Sequence, residues 1–200
     1  MPLEAAYLEQ ATPVDETEDV TVIDLNPFGL KGEKDRLLLI RENREPVLLL
    51  QLYIRADDDG WLISSAFSEF LLNDTHVAII GGDHFHVFDL VTHSFKSHPL
   101  EDYVGHIYSV PDINSARLYE RVLVATYTHV LLIDIQAGIL WKSSRCAIDG
   151  VVISSIENDM VLGQESGTHR EAGDLLSSVS TQVLIFEEKE QTSLRVNCLC

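Results

Sequence analysis

Short apolar runs alternate with polar turn residues along most of the chain. The clearest case spans residues 121–143, where two runs rich in Val, Leu and Ile flank the polar segment 127–129. Asp134 and Gly138 then provide a turn before a third run that begins near Ile139. Since β-branched residues favour strands and Asp and Gly favour tight turns, this pattern predicts three consecutive antiparallel strands.

The same pattern predicts further strands on both sides of this segment: 20–25, 36–40, 47–54, 149–154, 160–163, 181–186 and 194–199. Four successive apolar positions at 47–50 indicate a central strand that is covered on both faces. Residues 61–72 fit a strand followed by at most one helical turn. The polar stretch 164–179 predicts a long loop, which is a candidate binding or flexible segment.

Part of the chain is internally similar. Aligning Asp89 with Asp134, whose numbers differ by 45, superposes the apolar runs of 76–97 on those of 121–143 once one gap is allowed. A weaker third copy spans 160–195, with Glu187 in place of the aspartate. A repeat of about 40 to 50 residues made of short strands is typical of a propeller blade, although a meander of ordinary hairpins gives the same pattern.

Within the second copy, the segment 131–142 has an apolar strand that ends in Asp134, turns through Gly138 and resumes with the aromatic Trp141. It resembles the repeat of quinoprotein-like and WD40-like β-propellers. The resemblance covers about a third of the chain and implies an all-β, propeller-like stack of small antiparallel sheets. About four units of this size fit in 200 residues, which is the smallest closed propeller. A β-sandwich is the alternative.

Residues 1–20 contain six carboxylates and no Lys or Arg, so we expect an acidic N-terminal arm with one or two helical turns at 3–11. Residues 21–200 are expected to form a single all-β domain.

The N-terminus has no pattern of a secretory signal, and no apolar run approaches the length of a membrane helix. We therefore expect a cytoplasmic protein. Three cysteines, Cys146, Cys198 and Cys200, fit a reducing compartment.

The composition is strongly acidic. With 14 basic and 32 acidic residues the formal charge is −18 and the isoelectric point is about 4.6, while 46% of the residues are hydrophobic. Such a surface repels phosphate backbones and anionic lipids, so we expect neither nucleic-acid nor membrane binding. It would attract a basic protein partner. The alternative is that the negative charge only keeps the protein soluble.

The common catalytic signatures are absent from the sequence. There is no phosphate loop, no G-x-G-x-x-G or G-x-S-x-G, and no C-x-x-C or H-E-x-x-H motif, so no catalytic residue is nominated and no cofactor is expected. His84 and His86 are spaced to lie on one face of a strand, next to Asp83. These three residues are candidate metal ligands, with a further ligand from a neighbouring strand: His76, His93 or His129. The alternative is a pair of structural histidines beside Phe88.

Candidate binding residues come from two groups. Asp57, Asp58 and Asp59 precede Gly60 but lack the alternate spacing and the final glutamate of an EF-hand, so they predict a tight turn. Three aromatic residues are candidate binding side chains or core residues: Trp61, Tyr127 and Trp141. Asp89 and Asp134 are better explained as turn residues whose side chains accept from following backbone N–H groups.

These observations favour a non-catalytic protein-interaction module of a soluble, bacterial-type cytoplasmic protein. One alternative is an acidic inhibitor or immunity-type protein that neutralises a basic toxin or nuclease. A second alternative is a metal-dependent hydrolase that uses His84 and His86. Oligomeric state cannot be deduced from the sequence.

Overall fold

The computed structural model describes residues 3–8, 20–64, 67, 69–148, 150–157, 160–165 and 181–185. The chain is all-β, and its strands form several small sheets, as predicted. Its contacts divide it into two compact units. Unit 1 comprises Met1–Tyr103 and Ala116–Leu118, and unit 2 comprises Val104–Ser115 and Tyr119–Cys200.

Unit 1 contains two four-stranded sheets. Its strands are β1 (Leu3–Tyr7), β2 (Thr21–Leu25), β3 (Glu33–Glu42), β4 (Glu45–Ile54), β5 (Phe70–Leu72), β6 (His76–Gly81), β7 (His84–Asp89) and β8 (Ser94–Pro99). The first sheet has the order β1-β3-β4-β2, and the second is the meander β5-β6-β7-β8. All pairs are antiparallel except β2 with β4, which is parallel. Asn43 and Arg44 join β3 to β4 with positive φ angles of 53° and 73°, which suits a tight hairpin.

The two sheets of unit 1 pack on each other through apolar side chains. The buried cluster consists of Leu25, Leu38, Ile40, Leu48, Leu50, Leu52, Val77, Ile79 and Phe88. The predicted central position of β4 is confirmed, because it lies between β3 and β2 and its residues 48–54 are all buried.

The described residues of unit 2 also form two sheets. Its strands are β9 (Val104–Val110), β10 (Arg121–Thr126), β11 (Val130–Asp134), β12 (Gly138–Lys142), β13 (Val151–Glu157), β14 (Met160–Glu165) and β15 (Thr181–Ile185). The orders are β12-β11-β10-β9 and β13-β14-β15. Leu123 and Trp141 from the first sheet share a buried cluster with Val151 and Ile153 from the second. The backbone N–H of Ile153 donates to the Tyr108 hydroxyl at 3.1 Å, which ties the two sheets together.

Two segments differ from the expected secondary structure. Leu3–Tyr7 is strand β1 rather than a helical turn, because its backbone pairs with β3 in the register Ala5↔Ile40. Among the described residues of 61–72, β5 is the one strand, and Leu62 makes an isolated bridge to Ala56.

Several expectations fall on other parts of the chain. Outside the described residues lie the strand expected at 194–199, Cys198 and Cys200, and most of the arm and of the 164–179 loop.

Gly29–Lys31 forms one turn of 3-10 helix. Within the described ranges, no helix has the length and apolar character needed to cross a membrane.

Candidate functional site

The segment Ala56–Leu62, which we call the Trp61 loop, follows β4 as a tightly hydrogen-bonded hairpin. Asp57 exchanges backbone bonds with the far side of the loop: its N–H donates to the Trp61 carbonyl at 2.8 Å and its carbonyl accepts from Gly60 at 3.1 Å. Its side-chain Oδ1 accepts from the backbone N–H groups of Asp59 at 3.0 Å and Trp61 at 2.8 Å. The tight turn predicted for the three aspartates is therefore confirmed.

The loop exposes its two large apolar side chains. Trp61 is 75% exposed and Leu62 is 53% exposed, while Ile63, the next residue, is buried. Asp58 and Asp59 are exposed as well, and neither carboxylate makes a hydrogen bond or ion pair with a described residue. The tip of the loop thus combines an exposed indole with two solvated negative charges.

The base of the Trp61 loop is fixed to the turn between β6 and β7. The Ile63 N–H donates to the Arg55 carbonyl at 2.9 Å, which closes the loop. The Arg55 guanidinium donates to Oδ2 of Asp83 from Nη2 at 2.7 Å and from Nε at 3.2 Å. Gly82, with φ +60°, lies so close to the Ile63 carbonyl oxygen that a Cβ atom would overlap it. Backbone contact and ion pair together hold the loop in one position.

Asp83 is a buried carboxylate whose two oxygens are both hydrogen-bonded. Oδ1 lies 2.6 Å from Nδ1 of His84, and Oδ2 accepts from Arg55. Burial alone would raise the pKa of Asp83, but the hydrogen bonds from His84 and Arg55 and their charges outweigh it and lower the pKa to about 2. Because Asp83 is ionised, Nδ1 of His84 is assigned as the donor.

A second exposed segment reaches the same place. In the turn Asn26–Gly32, the Asn26 Oδ1 accepts from the Phe28 N–H at 3.0 Å and its Nδ2 donates to the Gly29 carbonyl at 2.9 Å. The Phe28 ring meets the His84 ring edge-on at 4.7 Å. Leu30, at the end of this turn, is fully exposed. Asp83 and His84 therefore fix two segments that each present exposed apolar side chains.

The Asp83–His84 pair resembles the carboxylate–imidazole half of a catalytic triad. Nε2 of His84 would be the reactive atom, but it has no hydrogen-bonded Ser, Thr or Cys among the described residues. The geometry therefore provides an oriented imidazole without a nucleophile.

His86 is completely buried next to this cluster. Neither of its ring nitrogens has a hydrogen-bond partner among the described residues, and a Cβ added at Gly81 would come within 2.7 Å of its Nε2. Burial and then the positive charges that His84 and His98 can carry lower the pKa of His86 to about 3. The side chain is therefore neutral at physiological pH.

The proposed metal ligands do not converge. The rings of His84 and His86 are nearly parallel, at 16°, with centroids 6.1 Å apart. Nδ1 of His84 is occupied by Asp83. In the part of the chain that the structure describes, no three His, Cys, Asp or Glu side chains form a group that could hold a metal ion.

The other candidate ligands have separate neighbours. His76 contacts Thr75 and Asp89, His93 stacks on Phe88, and Nδ1 of His129 lies 2.6 Å from the Thr128 hydroxyl.

The remaining predicted binding residues belong to unit 2. Trp141 is 8% exposed and forms part of the buried cluster there. Tyr127 lies half-buried in the turn between β10 and β11, and its carbonyl accepts from the Gly150 N–H at 2.9 Å. The structure thus brings together Trp61 and the aspartates 57–59 in unit 1, while Tyr127 and Trp141 belong to unit 2.

Sequence reasoning missed Arg55, Phe28, Leu30 and Leu62. Arg55 precedes the three aspartates with Ala56 between them, and that position is the one signal that could have marked it as a residue at the base of the loop. Its partner Asp83 is 28 residues away, and no local pattern links the two.

A scan against protein-family models and a search of curated proteins find no match to this chain.

Proposed function

We propose that this protein is a non-catalytic protein-interaction module whose contact surface in unit 1 is formed by the Trp61 loop and the Asn26–Gly32 turn. The observation that carries the proposal is the 75% exposure of Trp61 on a loop that is fixed at its base. Large aromatic side chains on pre-organised segments dominate the binding energy of protein interfaces, because little conformational entropy is lost when they dock.

The exposed apolar side chains support the same surface. Isolated exposed hydrophobic residues are normal on soluble proteins. Here, however, Leu30, Trp61 and Leu62 lie in two segments linked to the Asp83–His84 pair. Phe28 of the turn contacts His84, and Arg55 at the base of the loop pairs with Asp83. A partner could bury all three without moving the backbone, since both segments have internal hydrogen bonds.

We propose a propeller-like arrangement of repeated blades as the scaffold. The hairpins that contain Asp89 and Asp134 support this arrangement, because residues 45 positions apart make equivalent hydrogen bonds in the two. Asp89 Oδ1 accepts from Val91 and Thr92, and Asp134 Oδ1 accepts from Gln136 and Ala137. The backbone bonds of the following residues match too: Leu90 donates to Thr75 and Ile135 donates to Glu120.

The charge of the chain favours a basic partner. A formal charge of −18 steers cationic proteins toward the surface and disfavours anionic ones. The cytoplasm is the compartment we propose for this interaction.

The experiment is a comparative pull-down with the full chain from an extract of the source cells. The loop variant Trp61→Ala/Leu62→Ala is compared with wild type and with Val22→Thr/Val91→Thr, which alters two exposed apolar residues elsewhere in unit 1. We expect one or a few proteins to be retained by wild type and control and reduced at least tenfold by the loop variant. If the wild type, the loop variant and the control variant retain the same proteins in the same amounts, the proposal is refuted.

A further inference from the structure

We infer that the Trp61 loop binds a basic segment of a partner protein, with an arginine or lysine side chain placed on the Trp61 ring beside Asp58 and Asp59. This inference rests on the proposed function and specifies the chemistry of its contact surface. A cation on the face of an indole is attracted by the ring quadrupole, and carboxylates beside the ring add ion pairs to the same group.

The three aspartates of the loop have different roles. Asp57 is half-buried, and its Oδ1 is already used by the N–H groups of Asp59 and Trp61. Asp58 and Asp59 are exposed and their carboxylates have no hydrogen bond within the described residues. Two of the three charges are thus available to a partner, and the third shapes the loop that carries them.

The cation at the base of the loop does not neutralise these charges. Arg55 directs both Nε and Nη2 at Oδ2 of Asp83. The pKa of Arg55 is raised first by its hydrogen bond to Asp83 and by the charge of Asp83, with a smaller effect from Asp58. The charge of Arg55 is therefore matched by a residue outside the loop, and the tip stays negative.

The apolar character of the tip favours arginine or lysine over a free metal ion or a small inorganic cation. Trp61 and Leu62 offer apolar area to the methylene groups of a long basic side chain, while Asp58 and Asp59 meet its charged end. Arginine fits best because its planar guanidinium can stack on an indole and also donate to a carboxylate.

The test uses the full chain and a short fluorescein-labelled peptide in which Arg alternates with Gly and Ser. A second peptide has citrulline, a neutral isostere, in place of every arginine. Binding is followed by fluorescence anisotropy at low and at physiological salt. Two variants change the site: Trp61→Ala, and Asp58→Asn/Asp59→Asn, which leaves Asp57 in place. The charge-matched control is Glu45→Gln/Asp74→Asn, which removes two exposed carboxylates elsewhere in unit 1.

We expect the arginine peptide to bind wild type and the control within about twofold, and to bind each loop variant about tenfold more weakly. The citrulline peptide should show no measurable binding. Equal weakening by the control and the loop variants would overturn the inference, because it would mean that overall charge alone attracts the peptide. Full affinity of Trp61→Ala, or no binding of the arginine peptide to wild type, would overturn it as well.

Circular dichroism of each variant excludes unfolding as the cause, and Trp61→Phe, which keeps an aromatic face, should recover part of the affinity. The outcomes separate the two proposals. If extract proteins are lost with Trp61→Ala/Leu62→Ala while the arginine peptide shows no preference for the loop, the interaction surface stands and its cationic specificity fails. If the extract shows no dependence on the loop, the proposed function itself fails.

Discussion

Arg55 and Asp83 form the ion pair that joins the Trp61 loop to the turn between β6 and β7. Nη2 lies 2.7 Å and Nε 3.2 Å from the same oxygen, Oδ2. The other oxygen is bonded to His84 at 2.6 Å, and the carboxylate is 7% exposed. Because the carboxylate is buried and both of its oxygens are used, its removal affects more than a surface ion pair would.

We predict that Asp83→Asn lowers the free energy of unfolding by about 2 kcal/mol at neutral pH, because the amide has one acceptor oxygen, whereas the carboxylate accepts from both Arg55 and His84. The folded pKa of Asp83 is about 2, below its unfolded value of about 3.9, so its stabilisation is present above about pH 4 and is lost as pH falls toward 2. Urea unfolding from about pH 5 to about pH 2 should show the difference from wild type shrinking. Asp74→Asn, at an exposed position, is the control, and a pH-independent difference would contradict the prediction.

We predict that His86→Leu stabilises the protein at neutral pH by about 1 kcal/mol, because it removes two buried nitrogens that lack hydrogen bonds. The pH dependence should change too. The folded pKa of His86 is about 3 and the unfolded value about 6.5, so protonation of the unfolded state lowers wild-type stability as pH falls through this range. Chemical denaturation between about pH 7 and about pH 4 should show a shallower decline for His86→Leu than for wild type or for His93→Asn, which changes an exposed histidine. Parallel declines would contradict the assignment.

We predict that Gly82→Ala is much more harmful than Gly29→Ala, although the two glycines have nearly the same φ, +60° and +59°. A Cβ at Gly29 meets nothing within 4 Å, so this substitution costs the backbone strain alone, about 1 kcal/mol. A Cβ at Gly82 overlaps the Ile63 carbonyl, which cannot move without displacing the Trp61 loop, and we expect a cost of about 3 kcal/mol. Urea unfolding gives the two costs, and the emission of Trp61 should change for Gly82→Ala only.

The strands could be predicted from the sequence where local pattern and tertiary structure agree. The run 47–54 is apolar because β4 is central, and Asp134 with Gly138 marks a hairpin because the turn needs both. Leu3–Tyr7 could not be assigned in this way. Its strand conformation comes from pairing with β3, more than 30 residues away, and such a contact leaves no periodic signal in a short segment.

The site was less accessible to sequence reasoning than the fold. Trp61 and Trp141 have the same local signal, an aromatic residue beside a glycine turn, yet one is exposed and the other lies in a core. The difference arises from neighbours: Trp141 pairs with Leu132 inside a sheet that packs on β13, whereas Trp61 belongs to a loop whose base alone is packed. The three aspartates predicted the turn correctly. They did not predict that the carboxylates of Asp58 and Asp59 would make no hydrogen bond with a described residue.

The last prediction concerns the two matching hairpins. Asp134 Oδ1 accepts two backbone hydrogen bonds of 2.9 Å, from Gln136 and Ala137, and Oδ2 lies 3.9 Å from Arg121. Asp134→Ala removes the acceptor and should destabilise the protein by about 1 kcal/mol, whereas Asp134→Asn keeps it and should cost less than half as much. If the loss of the charge opposite Arg121 mattered more than the turn, Asn would be as harmful as Ala in urea unfolding.

Asp89 offers the parallel test in unit 1. Asp89 Oδ1 accepts from the backbone N–H groups of Thr92 and Val91, and these hydrogen bonds lower the pKa of Asp89. As for Asp134, we expect the Asp89→Asn variant to be more stable than the Asp89→Ala variant. Since His76 lies opposite Asp89 where Arg121 lies opposite Asp134, agreement between the two series would assign the effect to the shared turn, because the facing side chains differ. Opposite orders in the two hairpins would mean that their matching hydrogen bonds contribute differently, and would weaken the proposed blade repeat.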